Sequence, residues 1–343
     1  MLQRYFHILT VLCAVFLPAK TVSAQGIEAY LRKEVQRLRN ENDSLRAALA
    51  ELQHPTETTW DFLLNVDLDE DESEVFGASS VSRDVDLGHG DLMDLIRRAA
   101  PSVATYWHQS VDDQVSIYTV KRRRYLPKIF GRYERWYPYF ASTFRKYGVP
   151  EDMIALCIVE SAVSRRAVSP VGAAGIWQFM PATARQYGLR VDEYVDERFD
   201  VFKATDAAAR YLRDAYKGFG RWDLTLMSYN CGSARVRQAI IRAGGSSNVW
   251  DIAEYLPKET RLYLPAFLAA SYVYAERKNL GIPVSDQSTF QKTSSVKLDK
   301  DVRLADVARE LECKEEVLIE LNPKITKGIV PAGTSFLIPV QNK

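Results

Sequence analysis

Glu160 stands where a carboxyl group could act as an acid. It sits near the end of the run Met153 to Ser161, which is apolar nearly all round, so as a helix it must be buried. Pro150, Glu151 and Asp152 precede the run; proline fits a first turn and acids complement the positive end of the helix dipole. A carboxyl group held against apolar walls resists ionisation, which lifts its pKa from about 4.3 toward neutrality. Such a group can protonate a glycosidic oxygen as it leaves. By itself, a Glu-Ser pair on a helix reads equally well as a hydrogen-bonded capping acid.

Composition removes several other chemistries. The four histidines, His7, His54, His89 and His108, show no ligand spacing, so a zinc peptidase has no metal site to build and a Ser-His-Asp hydrolase is disfavoured. No metal and no cofactor is expected. The 45 basic and 44 acidic residues give a net charge of +1, which provides no global field for nucleic acid. Beyond Cys13 the cysteines are Cys157, Cys231 and Cys313, an odd number that does not describe a disulfide-stapled scaffold. Cys157 lies one turn before Glu160, and Cys157 and Cys231 are either buried thiols, the commoner state, or a pair near the site.

The residues after Glu160 decide its role. Glu160-Ser161 leads to Ser169-Pro170, then Gly172-Ala173-Ala174-Gly175-Ile176-Trp177-Gln178-Phe179-Met180-Pro181, then Thr183-Ala184 and Tyr187-Gly188-Leu189. Further on come Ser228-Tyr229-Asn230, Gly232, Arg235 and Val236, and then Glu259-Thr260-Arg261, Tyr263 and Pro265. These ordered motifs, running from Glu160 to Pro265, resemble the soluble lytic transglycosylase family. The departure is Cys231, where the family usually has a small Ala or Ser.

The resemblance implies a lysozyme-like helical fold around a sugar cleft, with Glu160 as the only catalytic carboxylate. By position, Ser169 and Gln178 would hydrogen-bond the substrate, and Met180, Tyr229, Asn230 and Tyr263 would line the site. Glycines at 172 and 175 allow close backbone approach, and aromatic rings with polar tips suit sugars. Trp177, Phe179 and Tyr187 read equally well as core packing. The implied substrate is the peptidoglycan glycan strand. It would be cleaved at the β-1,4 bond between N-acetylmuramic acid and N-acetylglucosamine, leaving a 1,6-anhydromuramic acid end. A lysozyme-type hydrolase on the same fold is the alternative, and a catalytically dead wall-binding scaffold is disfavoured because all the motifs are intact.

Around this centre the chain divides into recognisable stretches. Residues 1–24 have the layout of a secretory signal, with an apolar stretch from Ile8 to Leu17 and small residues before Gln25, predicting export to the periplasm or cell envelope after cleavage near Ala24. An uncleaved anchor is the other reading. Residues 27–53 carry Leu31, Val35, Leu38, Asn42, Leu45, Leu49 and Leu52 at heptad spacing, favouring a short coiled coil and a homodimer over a helix packed on its own protein. Residues 54–90 are an acidic linker. Residues 91–280 read as the helical catalytic domain, with Ala207, Ala208, Tyr211, Leu212 and Ala215 on one helix face, and Lys121 to Arg124 as a wetted face. Residues 281–294 form a second linker. Residues 295–343 read as a strand, helix, helix, strand module resembling a LysM domain, through Val302 to Ala308, Val317 to Leu321, Asn322-Pro323 and Phe336 to Pro339. The fold class expected is thus mainly α, with a small βααβ module. The usual Gly-Asp-Thr start is replaced by Lys300-Asp301-Val302.

Overall fold

The helix at the centre of the helical part is hydrophobic on nearly every side and is buried accordingly. The computed structural model describes residues 89–103, 107–285 and 293–340. The stretches expected to be signal, coiled coil and almost all of the acidic linker lie outside the described residues. In chain order the helices are α1 His89–Ala99, α2 Gln109–Ser116, α3 Leu126–Lys146, α4 Leu156–Ser161, α5 Pro181–Gln186, α6 Val201–Phe219, α7 Trp222–Cys231, α8 Ser233–Arg242, α9 Val249–Ala253 and α10 Lys258–Ala275. Helix α10 buries Tyr263 through Val273 without a break and packs against α1, α2, α4 and α7. A helix with no polar face is stable only when enclosed in this way.

Helix α6 shows how sequence sets a boundary. Asp200 caps its start by accepting from the backbone N–H groups of Phe202 and Lys203, and Gly220, at φ 67°, ends it. Both are the residue types those positions favour. Its small face of Ala204, Ala207, Ala208 and Leu212 is buried and lets α7 pack alongside.

Two expectations about local structure need correction. The run before Glu160 is not one continuous helix: Glu151–Ala155 is a 3-10 segment and only Leu156–Ser161 is α-helical. The acids that looked like first-turn partners are used elsewhere. Asp152 accepts from the backbone N–H of Ser102 at 2.8 Å, while Glu151 accepts from Tyr137 at 2.9 Å and pairs with Arg145 at 2.6 Å. The basic run 121–124 is not simply a wetted face. Arg122 is buried against the Tyr118 ring, and Arg123 donates to the carbonyl of Leu280 at 2.5 Å.

Residues 293–340 form a small module with strands β1 Thr293–Lys297, β2 Val302–Arg303, β3 Ile329–Val330 and β4 Ser335–Pro339, and helices α11 Leu304–Glu310 and α12 Glu315–Leu321. Strands β1 and β4 pair antiparallel with Ser295 opposite Leu337, and β2 pairs with β3. The two-residue β2–β3 ladder is an addition to the expected order, and β1 begins inside the stretch expected to be linker. Buried Asn322 holds the module closed: its amide donates to the carbonyls of Leu318 and Leu337 and its oxygen accepts from the Leu337 N–H. The module's core of Leu304, Ala308, Leu318, Ile325, Val330 and Phe336 also contains Val195, a residue of the helical part.

Candidate active site

Helix α4 delivers Glu160 and then stops abruptly. Ala162 and Val163 both take left-handed backbone conformations, φ 51° and 60°, which non-glycine residues adopt rarely and a β-branched valine hardly at all. Each costs on the order of 1–3 kcal/mol. The strain is held in place by backbone bonds from Ala162 to Ile158 and from Val163 to Cys157, both 3.1 Å, and by burial of both side chains. The turn sends the chain directly into the loop that carries the next motif.

That loop is braced first by bonds within itself. Ser169 and Ala173 exchange bonds at both ends of a turn: the Ser169 N–H donates to the Ala173 carbonyl at 2.8 Å and the Ser169 hydroxyl accepts from the Ala173 N–H at 3.0 Å. Ala174 and Phe179 pair reciprocally at 3.1 Å. Gln178 sits within this small hairpin at φ 46°, its side-chain amide donating to the carbonyls of Gly175 and Ala167 at 2.8 and 3.2 Å. The other end of that amide, Oε1, is buried without a protein partner. The Ser161 hydroxyl donates to the Ile176 carbonyl at 2.8 Å and ties the loop to α4. Gly175, at φ 79°, is obligatory, because a Cβ there would lie 1.9 Å from the carbonyl oxygen of Arg198.

Glu160 itself is half-buried and accepts a hydrogen bond from the Tyr263 hydroxyl. Burial pushes its pKa up to about 8, the Tyr263 bond pulls down against that, and the negative charge of Glu259 adds to the rise. Burial, and then the proximity of Glu160, hold the hydroxyls of Tyr229 and Tyr263 well above their usual range, so both remain protonated donors. The thiol of Cys157 is raised by burial and by the nearby Glu160. Cys157 and Cys231 are both buried and carry thiols, not a disulfide.

The sequence-predicted residues are therefore placed as follows. Tyr263 meets Glu160 directly. Tyr229 donates to the Trp177 carbonyl at 2.7 Å, next to Gln178, and Asn230 accepts from Thr260 at 2.6 Å, joining the ends of α7 and α10. Ser169 is committed to its own turn, and Met180 is half-buried where the loop enters α5. Trp177 and Phe179 are core residues: Trp177 is fully enclosed against Phe140 and Phe144, its indole donating to Thr205.

Two further residues at the centre were not singled out from sequence. Glu259, exposed on the first turn of α10, acts electrostatically on Glu160, and in sequence it stands only as part of its motif. Tyr211 stacks edge-on with Tyr229 at 5.0 Å and, with Tyr187, Asp214 and Arg237, lines a groove of about 310 Å³. Its spacing had marked only a helix face. Among the described residues, no group of three or more His, Cys, Asp or Glu side chains is arranged to hold a metal ion.

Residues 138–249 match the family described as the transglycosylase SLT domain, which takes in the predicted site residues other than Tyr263. Membrane-bound lytic murein transglycosylase D of Escherichia coli K12 is 36% identical over 195 residues, covering 55% of this chain and 42% of its own length. Soluble lytic murein transglycosylase of the same organism is 27% identical over 159 residues, covering 43% of this chain and 25% of its own. The solved 70 kDa soluble lytic transglycosylase of Escherichia coli aligns with 43% of this chain and 26% of its own, at 25% identity and a TM-score of 0.34. This chain thus spans less than half the length of each of these proteins. Its residues 138–249 are similar to the transglycosylase SLT domain, and they sit within a mainly helical fold.

Proposed function

We propose that this protein is a peptidoglycan lytic transglycosylase, a carbon–oxygen lyase that uses Glu160 first as acid and then as base. The observation that carries the reading is the environment of Glu160: a half-buried carboxyl group whose pKa is lifted to about 8 and whose hydrogen-bond partner is the phenol of Tyr263. At pH 7 a group with that pKa is about nine-tenths protonated, as a general acid must be.

In this reading the Glu160 carboxyl protonates the oxygen between N-acetylmuramic acid and N-acetylglucosamine as the bond to C1 breaks. The resulting carboxylate then takes the proton from the muramic acid's C6 hydroxyl, whose oxygen bonds to C1. The attack comes from within the same sugar, so no bimolecular encounter and no positioned water are needed. A hydrolase would instead use a second carboxyl group, about 5–9 Å from the first. The direct partner of Glu160 is a phenol, the charge of Glu259 reaches it only from an exposed position, and the likeness of residues 138–249 to the transglycosylase SLT domain favours the internal route. Gln178, with its buried and unpartnered oxygen, together with Ser169, Met180, Tyr229 and Asn230, would hold the sugar.

The wider reading follows from the same resemblance. Export to the periplasm or cell envelope is supported by the N-terminal stretch ending near Ala24 and by the similarity to murein transglycosylases. Residues 295–343 would bind glycan as a LysM-like module, and residues 27–53 would pair two copies. Among the described residues no helix is long and apolar enough to cross a membrane.

Mass spectrometry of digested peptidoglycan tests the activity. The expected products end in 1,6-anhydromuramic acid and weigh one water less than their hydrolysed counterparts. Reducing ends as the main product would replace the lyase with a muramidase.

A further inference from the structure

The C-terminal module is fastened to the helical part chiefly along one short segment, residues 190–200. Val195 and Ile325 form an antiparallel bridge, and Val195 is fully buried in the module's core. The Asp196 N–H donates to the Lys324 carbonyl at 2.8 Å, and the Thr326 N–H donates to the Tyr194 carbonyl at 3.1 Å. The Lys324 ammonium meets the Asp200 carboxylate at 2.7 Å, with 12% and 10% of the two side chains exposed. The Thr326 hydroxyl donates to the Glu193 carbonyl at 2.6 Å and Arg190 reaches Thr334 at 3.1 Å. On a second side, Arg166 and Arg165 donate to the carbonyls of Ile319 and Glu320 at the end of α12, where cations complement the helix dipole.

The same segment grips the loop that carries Gln178. Arg198 is buried and forked onto the Asp196 carboxylate at 2.6 to 3.2 Å. Its remaining nitrogen donates to the Gly172 carbonyl at 2.7 Å and the Phe179 carbonyl at 3.0 Å, one at each end of the loop. The Arg198 carbonyl fills the space that any Cβ on residue 175 would need. Three points of the catalytic loop are thus held by one residue, and Asp196, which orients that residue, is itself pinned through its backbone to the module.

We propose that Asp196 and Arg198 are positioning residues for the loop 172–179, and that the docked C-terminal module sets the loop's geometry by completing the packing of residues 190–200. The module is then part of the catalytic apparatus, acting through Val195, Asp196 and Arg198. The activity arm of its test rests on the lytic reading above; the exchange arm does not.

Hydrogen exchange of the full-length chain, measured with turnover on purified peptidoglycan, tests both links. Val195→Asp places a charge in the module's core, so protection should be lost at 319–327 and, with it, at 172–179. Asp196→Asn keeps the backbone bond to Lys324, so protection should fall at 172–179 alone. In both variants kcat should drop by about tenfold or more, the scale expected when a catalytic geometry is loosened by a fraction of an ångström. KM should change much less. Arg198→Lys, which retains a cation for Asp196 with its donors gathered on one nitrogen, should recover part of the kcat that Arg198→Gln loses. Val195→Asp that exposes 319–327 while leaving 172–179 protected would overturn the proposal; should that variant not fold, the milder pair Val195→Ala and Thr326→Val is read the same way. Failure of the wild-type protein to release anhydro ends would count against the lytic reading, and the exchange coupling would still be decided on its own.

Discussion

Replacing Glu160 by glutamine should stabilise the protein while abolishing its chemistry, and the stabilisation should depend on pH. Glutamine matches the protonated acid in shape and can still accept from Tyr263, but it never ionises. In the unfolded chain Glu160 titrates near 4.5 and in the folded protein near 8. Between those values the native state holds a proton that the unfolded state has released, so the stability of the wild type falls as pH rises through that window. At about 1.36 kcal/mol per unit, the loss is roughly 3 kcal/mol by pH 7 and approaches roughly 5 kcal/mol above pH 8. For a domain of this size that is about 6–12 °C in Tm at pH 7. The assay is a pair of melting curves for wild type and Glu160→Gln at intervals from pH 4 to pH 8.5. The two should coincide near pH 4 and diverge steadily, the variant being the more stable. A difference that stays flat within about 2 °C would mean that Glu160 titrates as an ordinary glutamate, and the case for it as an acid at neutral pH would fall.

Turnover should decline above about pH 8 as Glu160 loses its proton, with kcat followed across pH 5 to 9.5. In Tyr263→Phe the hydrogen bond that lowers the Glu160 pKa is gone, so that alkaline limb should move upward while kcat falls by about ten- to a hundredfold; an unmoved limb would separate Tyr263 from the acid. Gly175→Ala combines a positive φ with a Cβ 1.9 Å from the Arg198 carbonyl, and should destabilise by about 4 kcal/mol or more, read as loss of soluble protein or a large fall in Tm. Cys157, fully enclosed and with its thiol pKa raised by burial, should be inert to a thiol reagent in the native state; Cys157, Cys231 and Cys313 should all react after denaturation, and a shortfall would reveal a bridge.

How much of this was legible in sequence follows from where each signal lies. The apolar run around Glu160 states its own burial, because a helix without a polar face has nowhere to sit but inside. Asp200 and Gly220 announce the ends of α6 for equally local reasons. The motifs supply the loop 172–179 and the two tyrosines near Glu160. What stayed hidden depends on partners far away in the chain. Asp196 and Arg198, two residues apart in an acidic stretch, look like a wet turn, and only the arrival of Gly172, Phe179 and Lys324 makes them a buried pair. Val163 and Gln178 occupy left-handed conformations that propensity argues against, and tertiary packing overrides that preference where the site needs a sharp change of direction. The split of the Glu160 run into 3-10 and α segments has the same origin, since Tyr137, Arg145 and Ser102 draw the acids away from the helix start.

The position of Val195 bears on how this chain can be recombined. By chain order the C-terminal module begins after residue 280, yet one of its core side chains is contributed almost a hundred residues earlier. A graft that moves the module to another carrier leaves a hole where Val195 stood and bares Ile325 to water. The carrier left behind gains an exposed valine beside an Asp196 N–H that must turn to water. Transplanting the unit intact therefore requires carrying segment 190–200 across as well, and with it Arg198, the clamp on the catalytic loop. In this protein the smallest heritable piece that keeps its packing is the pair, so insertions and deletions should be tolerated in the stretch that joins the two parts and rejected at the surface where they touch.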